Sequence, residues 1–361
     1  MNQELTVGQL SEGQLIARFA PLLAEQSAAS GESAESYQIL GPGDDCAVVA
    51  APDGRFVIST DTQVQGQDFA LVWPSGVRSS GFDTGHKCAT QNVADAAAMG
   101  AVPSSLVVSL TLPKNTPVRW VEDLARGLRA GTLACQAPQC HVVGGDLGAG
   151  GEISVTATVT GDLQGRDPVR RNGARPGDQV VLAGTVGRAA AGLDLLLDPA
   201  LELGRDPQLD ALVNSQLRPV SPTPWGARLA QSGATSMIDA SDGLVRDLTR
   251  VATASGVEIV LNREALEELA QPLRPAGEIL GQDPLHWVLN GGEDHGLLST
   301  VPADRQLPAG VLRLGSVRAE CTAATGVTHT ERIWLEQTPV SQLPLGLRGR
   351  GWDHFESEDG F

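Results

Sequence analysis

The sequence predicts a protein of mixed helices and strands that is divided into two domains. Its 361 residues are well above the ~150 residues of an average domain. Segments with the period-2 pattern of strands alternate with segments whose apolar residues recur at helical spacing. Hydrophobic residues make up 41% of the chain and aromatic residues only 4%, so we expect cores built mainly from Ala, Val and Leu.

The first part of the chain is predicted to contain three helices and several strands. A helix should run from Ser11 to Ala24, because Ser11 and Gln14 have capping-box spacing. The β formers from Arg55 to Thr60 predict a strand that stops at Asp61, which places this carboxylate at a strand end. The remaining expected elements are a helix from Thr84 to Met99, a strand from Val102 to Leu112, a helix from Val118 to Thr132, a short strand from His141 to Val143 that runs into Gly144-Gly145-Asp146, and a half-buried strand from Glu152 to Thr160.

A polar stretch from Gly161 to Asp178, rich in Gly, Pro and Arg, is the expected domain boundary. The predicted domains are therefore 1–162 and 163–361. After the boundary we expect a strand from Gln179 to Ala183, a helix from Arg188 to Leu197, an irregular helical excursion from Leu201 to Pro224, a strand from Thr235 to Ile238, a helix from Leu244 to Ala254, a strand from Glu258 to Leu261, a helix from Glu264 to Ala270 and a strand from Leu297 to Val301.

The composition argues against several classes of protein. A formal charge of -17 would repel a nucleic-acid backbone, and no apolar run approaches the ~18 residues of a membrane span. The five cysteines contain no CxxC pair, which disfavours a disulfide framework or a zinc site. We expect a cytoplasmic protein that binds neither nucleic acid nor membrane. An acidic protein can still bind a nucleotide if divalent cations bridge its carboxylates and the phosphates.

Aspartates recur in Gly-rich turns and at predicted strand ends: Asp44-Asp45, Asp61, Asp146, Asp239 and Asp242, with Asp95 on a helix. Two such charges ~4 Å apart repel by about 4 kcal/mol at an effective dielectric of 20, so a cluster of them needs cations. Hard oxygen ligands without Cys or His favour Mg²⁺ or Mn²⁺. The chain has no Walker A, GxGxxG or protein-kinase catalytic-loop motif, so metal bridges, backbone amides and helix N-termini, such as the one headed by Ser241, would have to hold the phosphates.

Ordered motifs across most of the chain resemble those of the thiamine-monophosphate kinase family. The similar segments are Gly43-Asp44-Asp45-Cys46-Ala47, Ser59-Thr60-Asp61, Asn92-Val93-Ala94-Asp95-Ala96-Ala97-Ala98-Met99-Gly100-Ala101, Gly144-Gly145-Asp146, Asp239-Ala240-Ser241-Asp242-Gly243-Leu244, Gly291-Gly292-Glu293-Asp294 and Gly351-Trp352-Asp353-His354-Phe355. The resemblance implies a two-domain aminoimidazole-ribonucleotide-synthetase-like (PurM-like) fold, with an N-terminal α+β domain that pairs in a homodimer and a C-terminal α/β domain.

The resemblance also implies an activity and the residues that serve it. The γ-phosphoryl group of ATP would pass directly to thiamine monophosphate, with several Mg²⁺ ions in the site and no covalent nucleophile. The implied magnesium ligands are Asp45, Ser59, Thr60, Asp61, Asp95, Asp146, Asp239 and Asp242. The implied ATP contacts are Gly145, Asp146, Arg171 and Ser241. The implied contacts with the thiamine moiety are Glu293 and Trp352.

The sequence departs from the family pattern mainly on the acceptor side. Asp68 stands where the family commonly has His, His295-Gly296 follows the Gly291 motif in place of an aromatic residue and an acid, and Leu147 follows Asp146 where Thr is usual. We interpret Asp68 as a substrate-binding residue, because a carboxylate can take over a positioning role towards a cationic ring system. Two alternatives stay open: an ATP-dependent amidine-forming synthetase of the purine-pathway type, and a catalytically silent nucleotide-binding protein of the same fold.

Overall fold

The structure is a computed structural model that describes residues 5–23, 37–40, 48–320, 332–348 and 351. Two of the residues implied in the site, Asp45 and Trp352, lie outside the described residues.

The helices alternate with strands along most of the described chain. They are α1 (Glu12–Phe19), α2 (Gly81–Ala98), α3 (Val118–Ala134), α4 (Arg188–Leu197), α5 (Pro207–Leu217), α6 (Pro224–Gln231), α7 (Leu244–Ser255), α8 (Arg263–Ala270), α9 (Arg274–Leu280) and α10 (Pro284–Asn290). The Ser11–Gln14 capping box opens α1 as predicted. None of the helices within the described ranges combines the length and the apolar character that crossing a membrane requires.

The strands of the described residues form three sheets. They are β1 (Gln38–Leu40), β2 (Val48–Val49), β3 (Val57–Val64), β4 (Val102–Leu112), β5 (His141–Ala149), β6 (Ser154–Asp162), β7 (Gln179–Ala183), β8 (Ser236–Asp239), β9 (Val257–Leu261), β10 (Leu297–Val301), β11 (Val311–Ala319), β12 (Ile333–Leu335) and β13 (Thr338–Pro339). A small sheet pairs β1 with β2, a four-stranded sheet has the order β3-β6-β4-β5, and a seven-stranded sheet has the order β13-β12-β9-β11-β7-β10-β8.

The two larger sheets use separate parts of the chain, which is the arrangement expected of two domains. One apolar cluster lies between the four-stranded sheet and helices α2 and α3. Another is formed by residues of the seven-stranded sheet and of the helices around it. A third cluster joins Ala97 and Ala98 of α2 to Met237 of β8 and Leu297 of β10. Helix α2 therefore packs on both halves of the molecule, and the proposed division at residues 162 and 163 stays a prediction.

Two boundary predictions near the aspartates were wrong. Asp61 is not at a strand end, because β3 pairs with β6 without a break from Val57↔Gly161 to Val64↔Ser154. Gly145 and Asp146 do not form a turn after a short strand. They lie within β5, which pairs with β4 as far as Ala149. Both errors come from treating polar or Gly-rich residues as strand stops, whereas ladder pairing continues through them.

Candidate active site

A polar stripe on α2 faces the site. Lys87, Gln91 and Asp95 are spaced four residues apart, so their side chains share one face of the helix. Opposite them, the Ser59 hydroxyl donates to Asp95 Oδ2 over 2.5 Å. Gln63 of the same strand donates its amide to Gln91 Oε1 over 3.2 Å. These two hydrogen bonds hold β3 against α2, the helix that also packs on the second half of the molecule.

Three of the predicted carboxylates influence one another electrostatically. Asp61 and Asp95 act on each other's pKa, and the charge of Asp239 acts on both. Burial, with the charges of Asp239 and Asp61, raises the pKa of Asp95 to about 7. Burial and the charge of Asp239 also raise the pKa of Asp61, against the opposing charge of His295. Carboxylates gathered in this way favour a proton or a cation between them.

His295 provides a counter-group for these carboxylates. The imidazole is buried, and its Nδ1 lies 3.2 Å from Asp239 Oδ2. Burial alone would lower the pKa of His295, but the hydrogen bond to Asp239 and the charges of Asp239, Glu293 and Asp61 raise it above its ordinary value. In the sequence His295 stands out only as a departure from the family pattern, and this contact was not predicted.

The segment that carries Glu293 and His295 runs beside the segment that carries Asp239 and Ser241. Glu293 N–H donates to Ser241 O over 2.8 Å, and His295 N–H donates to Ala240 O over 3.0 Å. Their approach requires glycine at position 292, since a Cβ there would lie 2.2 Å from Ser241 O. The two Gly-rich motifs of the sequence therefore meet because one has no side chain at its point of contact.

The N-terminus of α7 is already partly satisfied from within the chain. Asp247 Oδ2 accepts from the N–H groups of Asp242 and Gly243 over 3.0 Å and 3.1 Å. Arg250 joins Asp242 Oδ2 over 2.5 Å and Asp247 Oδ1 over 2.7 Å. Burial, with the charge of Asp239, raises the pKa of Asp247 to about 7. These two amides are occupied, and Ser241, which precedes them, lines the cavity beside this helix end.

A cavity of about 350 Å³ opens beside these residues. Four predicted site residues line it: Asp68, Ser241, Asp242 and Glu293. Its other walls come from α4, α10 and the C-terminal segment. The further lining residues are Gln67, Gln91, Ala190, Leu193, Asp194, His286, Trp287, Asn290, Gly291, Gly292, His295, Leu345, Gly346 and Gly351.

A buried lysine fixes Glu293 at the edge of this cavity. Lys87 Nζ lies 2.5 Å from Glu293 Oε1, and the lysine side chain is only 4% exposed. It also donates to Asp68 O over 3.1 Å, and Gln216 donates to Glu293 Oε2 over 2.5 Å. Lys87 thereby links α2, the turn at Asp68 and the Gly291 motif. Lys87 was not predicted as a site residue, although its spacing from Gln91 and Asp95 indicates a shared helix face.

Other predicted residues lie apart from the cavity within one chain. Thr60 and Asp146 are on the exposed face of the four-stranded sheet, opposite the face that carries Ser59 and Asp61. Gly145 is in the same cross-strand row as Asp61, but two strands separate them. At the usual strand spacing that is about 14 Å. Arg171 is exposed and lies in a 3-10 turn. Its backbone carbonyl accepts from Ser255 Oγ over 3.0 Å.

The donor set suits magnesium that is shared with a ligand. Within the described ranges, no group of three Asp, Glu, His or Cys side chains is arranged to hold one metal ion by itself. Mg²⁺ commonly uses one or two carboxylates together with substrate phosphates and water. Asp61, Asp95 and Asp239 provide hard oxygen atoms next to the cavity that Ser241 and Asp242 line. The residues therefore fit a metal that binds together with a polyphosphate.

Comparison with known proteins gives consistent matches. A family described as "AIR synthase related protein, N-terminal domain" matches residues 43–163. The thiamine-monophosphate kinase of Mycobacterium tuberculosis is 41% identical over 281 residues, which cover 77% of this chain and 79% of that protein. The crystal structure of thiamine monophosphate kinase from Aquifex aeolicus is similar at a TM-score of 0.67 and 29% identity, over 80% of this chain and 90% of that one. A structure described as AaThiL complexed with AMPPCP and TMP has a TM-score of 0.69 at 30% identity, over 83% and 87% of the two chains.

Proposed function

The chain belongs to the thiamine-monophosphate kinase family, and from this membership we propose that it transfers the γ-phosphoryl group of ATP to thiamine monophosphate, which gives thiamine diphosphate and ADP. As a member of the family it is a kinase, and its fold is the predicted PurM-like, aminoimidazole-ribonucleotide-synthetase-like fold of α+β and α/β parts. The solved relative was described in complex with an ATP analogue and TMP, which supports both substrates of the proposed reaction.

One observation in this chain carries the proposal. Carboxylates of β3, α2 and β8 interact with one another beside a cavity that Ser241, Asp242 and Glu293 line. Phosphoryl transfer needs two substrates in line and compensation for the charge that develops between them, without a covalent nucleophile. A cavity with mixed apolar and polar walls and a carboxylate cluster beside it meets this need.

Magnesium is the cofactor that we propose for the carboxylate cluster. The proposed ligands are Ser59, Asp61, Asp95, Asp239 and Asp242 near the cavity, with Asp45, Thr60 and Asp146 as further ligands implied by resemblance. When bound, Mg²⁺ would neutralise phosphate charge and hold the polyphosphate against these carboxylates. The chain's own groups do the rest: His295 fixes the Asp239 carboxylate, Ser59 fixes Asp95, and Arg250 fixes Asp242.

For the substrates, we propose ATP contacts at Gly145, Asp146, Arg171 and Ser241, and acceptor contacts at Asp68, Glu293 and Trp352. The cavity lining supports Ser241, Asp68 and Glu293. Lys87 holds Glu293 and the Asp68 carbonyl in place, so it positions two proposed acceptor contacts at once. We also propose a cytoplasmic location, which suits the buried free thiols Cys88, Cys135 and Cys140.

We propose that the chain acts as a homodimer through the open face of the four-stranded sheet. Helices α2 and α3 cover the other face. On the open face Ile58 is 64% exposed and Val107 is 45% exposed, and apolar side chains exposed together in a sheet suit a partner surface. Thr60 and Asp146 lie on the same face, so a second copy would cover the predicted residues that are far from the cavity.

A coupled assay of ADP formation tests the function. The purified chain is mixed with Mg-ATP and, separately, with thiamine monophosphate, thiamine or an aminoimidazole-type acceptor. Of these acceptors, we expect only thiamine monophosphate to react, and we expect it to give ADP and thiamine diphosphate in equal amounts. Turnover with an amidine-forming acceptor would support the purine-pathway alternative, and binding of ATP without turnover would support the catalytically silent alternative.

The same assay tests the metal. We expect excess EDTA to abolish turnover and Mg²⁺ or Mn²⁺ to restore it, because the carboxylates near the cavity cannot approach a polyphosphate without bridging cations. Excess Ca²⁺ with EDTA-treated protein is the control for a purely structural cation effect. Full turnover in excess EDTA would contradict the metal proposal.

A further inference from the structure

The cavity has an end that lies away from the carboxylate cluster. Asp294, next to His295, ties down the start of α4 by accepting from the N–H groups of Arg188 and Ala189 over 3.2 Å and 3.1 Å. Asp194 lies six residues beyond Arg188 on this helix, a rise of about 9 Å. Trp287 likewise lies about one turn before the end of α10 at Asn290. Among the lining residues, Leu193, Asp194, His286, Trp287, Leu345 and Gly346 belong to α4, α10 and the C-terminal segment, and we take them as the far end of the cavity.

Asp194 has one committed carboxylate oxygen and one available oxygen. Its Oδ2 accepts from the Trp287 indole N–H over 2.7 Å, which fixes the rotamer of the carboxyl group. Among the described residues, no hydrogen-bond donor reaches its Oδ1. Burial raises the pKa of Asp194, while the Trp287 hydrogen bond and the charge of His286 oppose that rise. A half-buried acceptor held in a fixed rotamer beside an apolar wall suits recognition of a hydrogen-bond donor on a ligand.

We propose that Asp194 recognises the ring system of the phosphate acceptor, with Oδ1 accepting a hydrogen bond from an exocyclic ring amino group. The inference rests on the proposed function, because thiamine monophosphate carries an aminopyrimidine and a cationic thiazolium on the side opposite its phosphate. With the phosphate at the carboxylate end of the cavity, the rings reach the end that Asp194 and Trp287 form. Leu193 and Leu345 contribute apolar surface there.

This placement makes Asp194 a specificity-determining residue. A buried acceptor aimed at a ligand donor discriminates strongly against an analogue that lacks the donor, because the acceptor is then left unpaired. An acceptor whose ring carries an oxo group in place of the amino group would face Oδ1 with a second acceptor. The amino compound should therefore be preferred over its oxo analogue, oxythiamine monophosphate.

The test compares Asp194→Asn and Asp194→Ala with Asp198→Asn. The asparagine at 194 keeps a carbonyl oxygen for the Trp287 N–H but replaces the second acceptor with a donor. Asp198 is the matched control. It ends the same helix, is half-buried, accepts from Ala200 N–H over 2.8 Å and lies outside the residues that line the cavity. KM and kcat are measured for ATP, thiamine monophosphate and oxythiamine monophosphate.

We expect Asp194→Asn to raise KM for thiamine monophosphate about tenfold or more, the loss of one charged hydrogen bond. It should leave KM for ATP unchanged and narrow the preference over the oxo analogue, while Asp198→Asn behaves as the wild type. An impaired Asp194→Ala beside a normal Asp194→Asn would show that Asp194 only anchors Trp287, and would overturn the inference. Unchanged acceptor KM in both variants would overturn it too. A wild-type chain that fails to phosphorylate thiamine monophosphate would overturn the proposed function and this inference together.

Discussion

Asp68 both stabilises a turn and lines the cavity. Its Oδ2 accepts from Val64 N–H over 2.7 Å, and its own N–H donates to Val64 O over 3.0 Å. The turn therefore directs the carboxyl group to the rim of the cavity. A role in binding and a role in the turn are compatible, and an isosteric substitution separates them.

We expect Asp68→Asn to raise KM for thiamine monophosphate several-fold while KM for ATP stays unchanged, the pattern of lost acceptor binding. The amide oxygen still accepts from Val64 N–H, so the turn is kept and only the charge is removed. Asp53→Asn, which changes a turn aspartate that accepts from Arg55 N–H, is the control. An unchanged acceptor KM would assign Asp68 to the turn alone, and a lowered one would mean that its charge repels the phosphate.

Lys87 should matter for stability as well as for binding. Lys87→Met leaves Glu293 without its cation, and breaking a buried ion pair costs several kcal/mol. Since the Glu293 side chain is 33% exposed, solvent reduces that cost, and we expect a loss of about 2 kcal/mol in the free energy of unfolding. Urea unfolding measures it. Lys87→Met with Glu293→Gln should recover most of the loss, because no unpaired charge remains.

The pair Arg18 and Glu122, 2.7 Å apart with the arginine side chain 47% exposed, is the control for Lys87. Arg18→Met should cost less than about 1 kcal/mol. Equal losses for Lys87→Met and Arg18→Met would show that the Lys87 pair is solvated and does not fix Glu293.

At the residue scale, sequence patterns identified site residues in the motifs better than the residues that pack beside them. An Asp in a Gly-rich motif stands out along the chain, and Asp68, Ser241, Asp242 and Glu293 do line the cavity. Lys87 and Asp194 stand in helices of ordinary composition, where a charged residue usually faces solvent. Only the packing of α2 and α4 against other elements brings their side chains to the site.

Helix α4 forms a wall of the cavity, and one buried carboxylate holds its first turn. Asp294 accepts from Thr185 Oγ1 over 2.9 Å in addition to the two helix N–H groups. We expect Asp294→Ala to lower the free energy of unfolding by about 2–3 kcal/mol, because it leaves buried donors unpaired. It should also raise acceptor KM, since Ala190, Leu193 and Asp194 move with the helix. Urea unfolding and steady-state kinetics check the two effects.

Asp206 offers a matched cap on a neighbouring helix. It accepts from Gln208 N–H over 2.8 Å at the exposed start of α5. Asp206→Ala should cost about 1 kcal/mol and leave acceptor KM unchanged. If Asp294→Ala and Asp206→Ala have the same effect on acceptor KM, the wall formed by α4 does not depend on its cap.

At the element scale, hydrophobic periodicity predicted the bounds of many elements well. It failed for strands that continue through polar or Gly-rich residues. The predicted strands Val102–Leu112, Gln179–Ala183 and Leu297–Val301 and the predicted helix Arg188–Leu197 have the observed bounds. The strand that contains Asp61 continues to Val64, and the one that contains Asp146 continues to Ala149. Pairing partners decide where such strands end, and partners distant in sequence are not visible in a local pattern.

For the whole molecule, the family resemblance predicted the fold. Only the structure shows which of the predicted site residues lie together and which lie apart. Motifs in order predicted that the aspartates converge, and Asp61, Asp95 and Asp239 do interact. Alternation along β3 already places Thr60 on the face opposite Ser59 and Asp61. The face of Asp146 follows from the pairing of β5 with β4, which a local sequence pattern does not encode.

The open face of the four-stranded sheet is the surface on which the proposed homodimer depends. If the open face of the sheet pairs two copies, Ile58→Glu places a charge in an apolar contact and should convert a dimer into a monomer, as measured by light scattering after size-exclusion chromatography. Ile279→Glu, at a side chain that is 50% exposed on α9, adds the same charge elsewhere and should leave the dimer intact. We expect monomeric Ile58→Glu to lose most kinase activity if a partner's copy of Asp146 completes the site. Dissociation with full activity would place the complete site in one chain and remove Asp146 from it, and a wild-type chain that is monomeric would contradict the homodimer proposal directly.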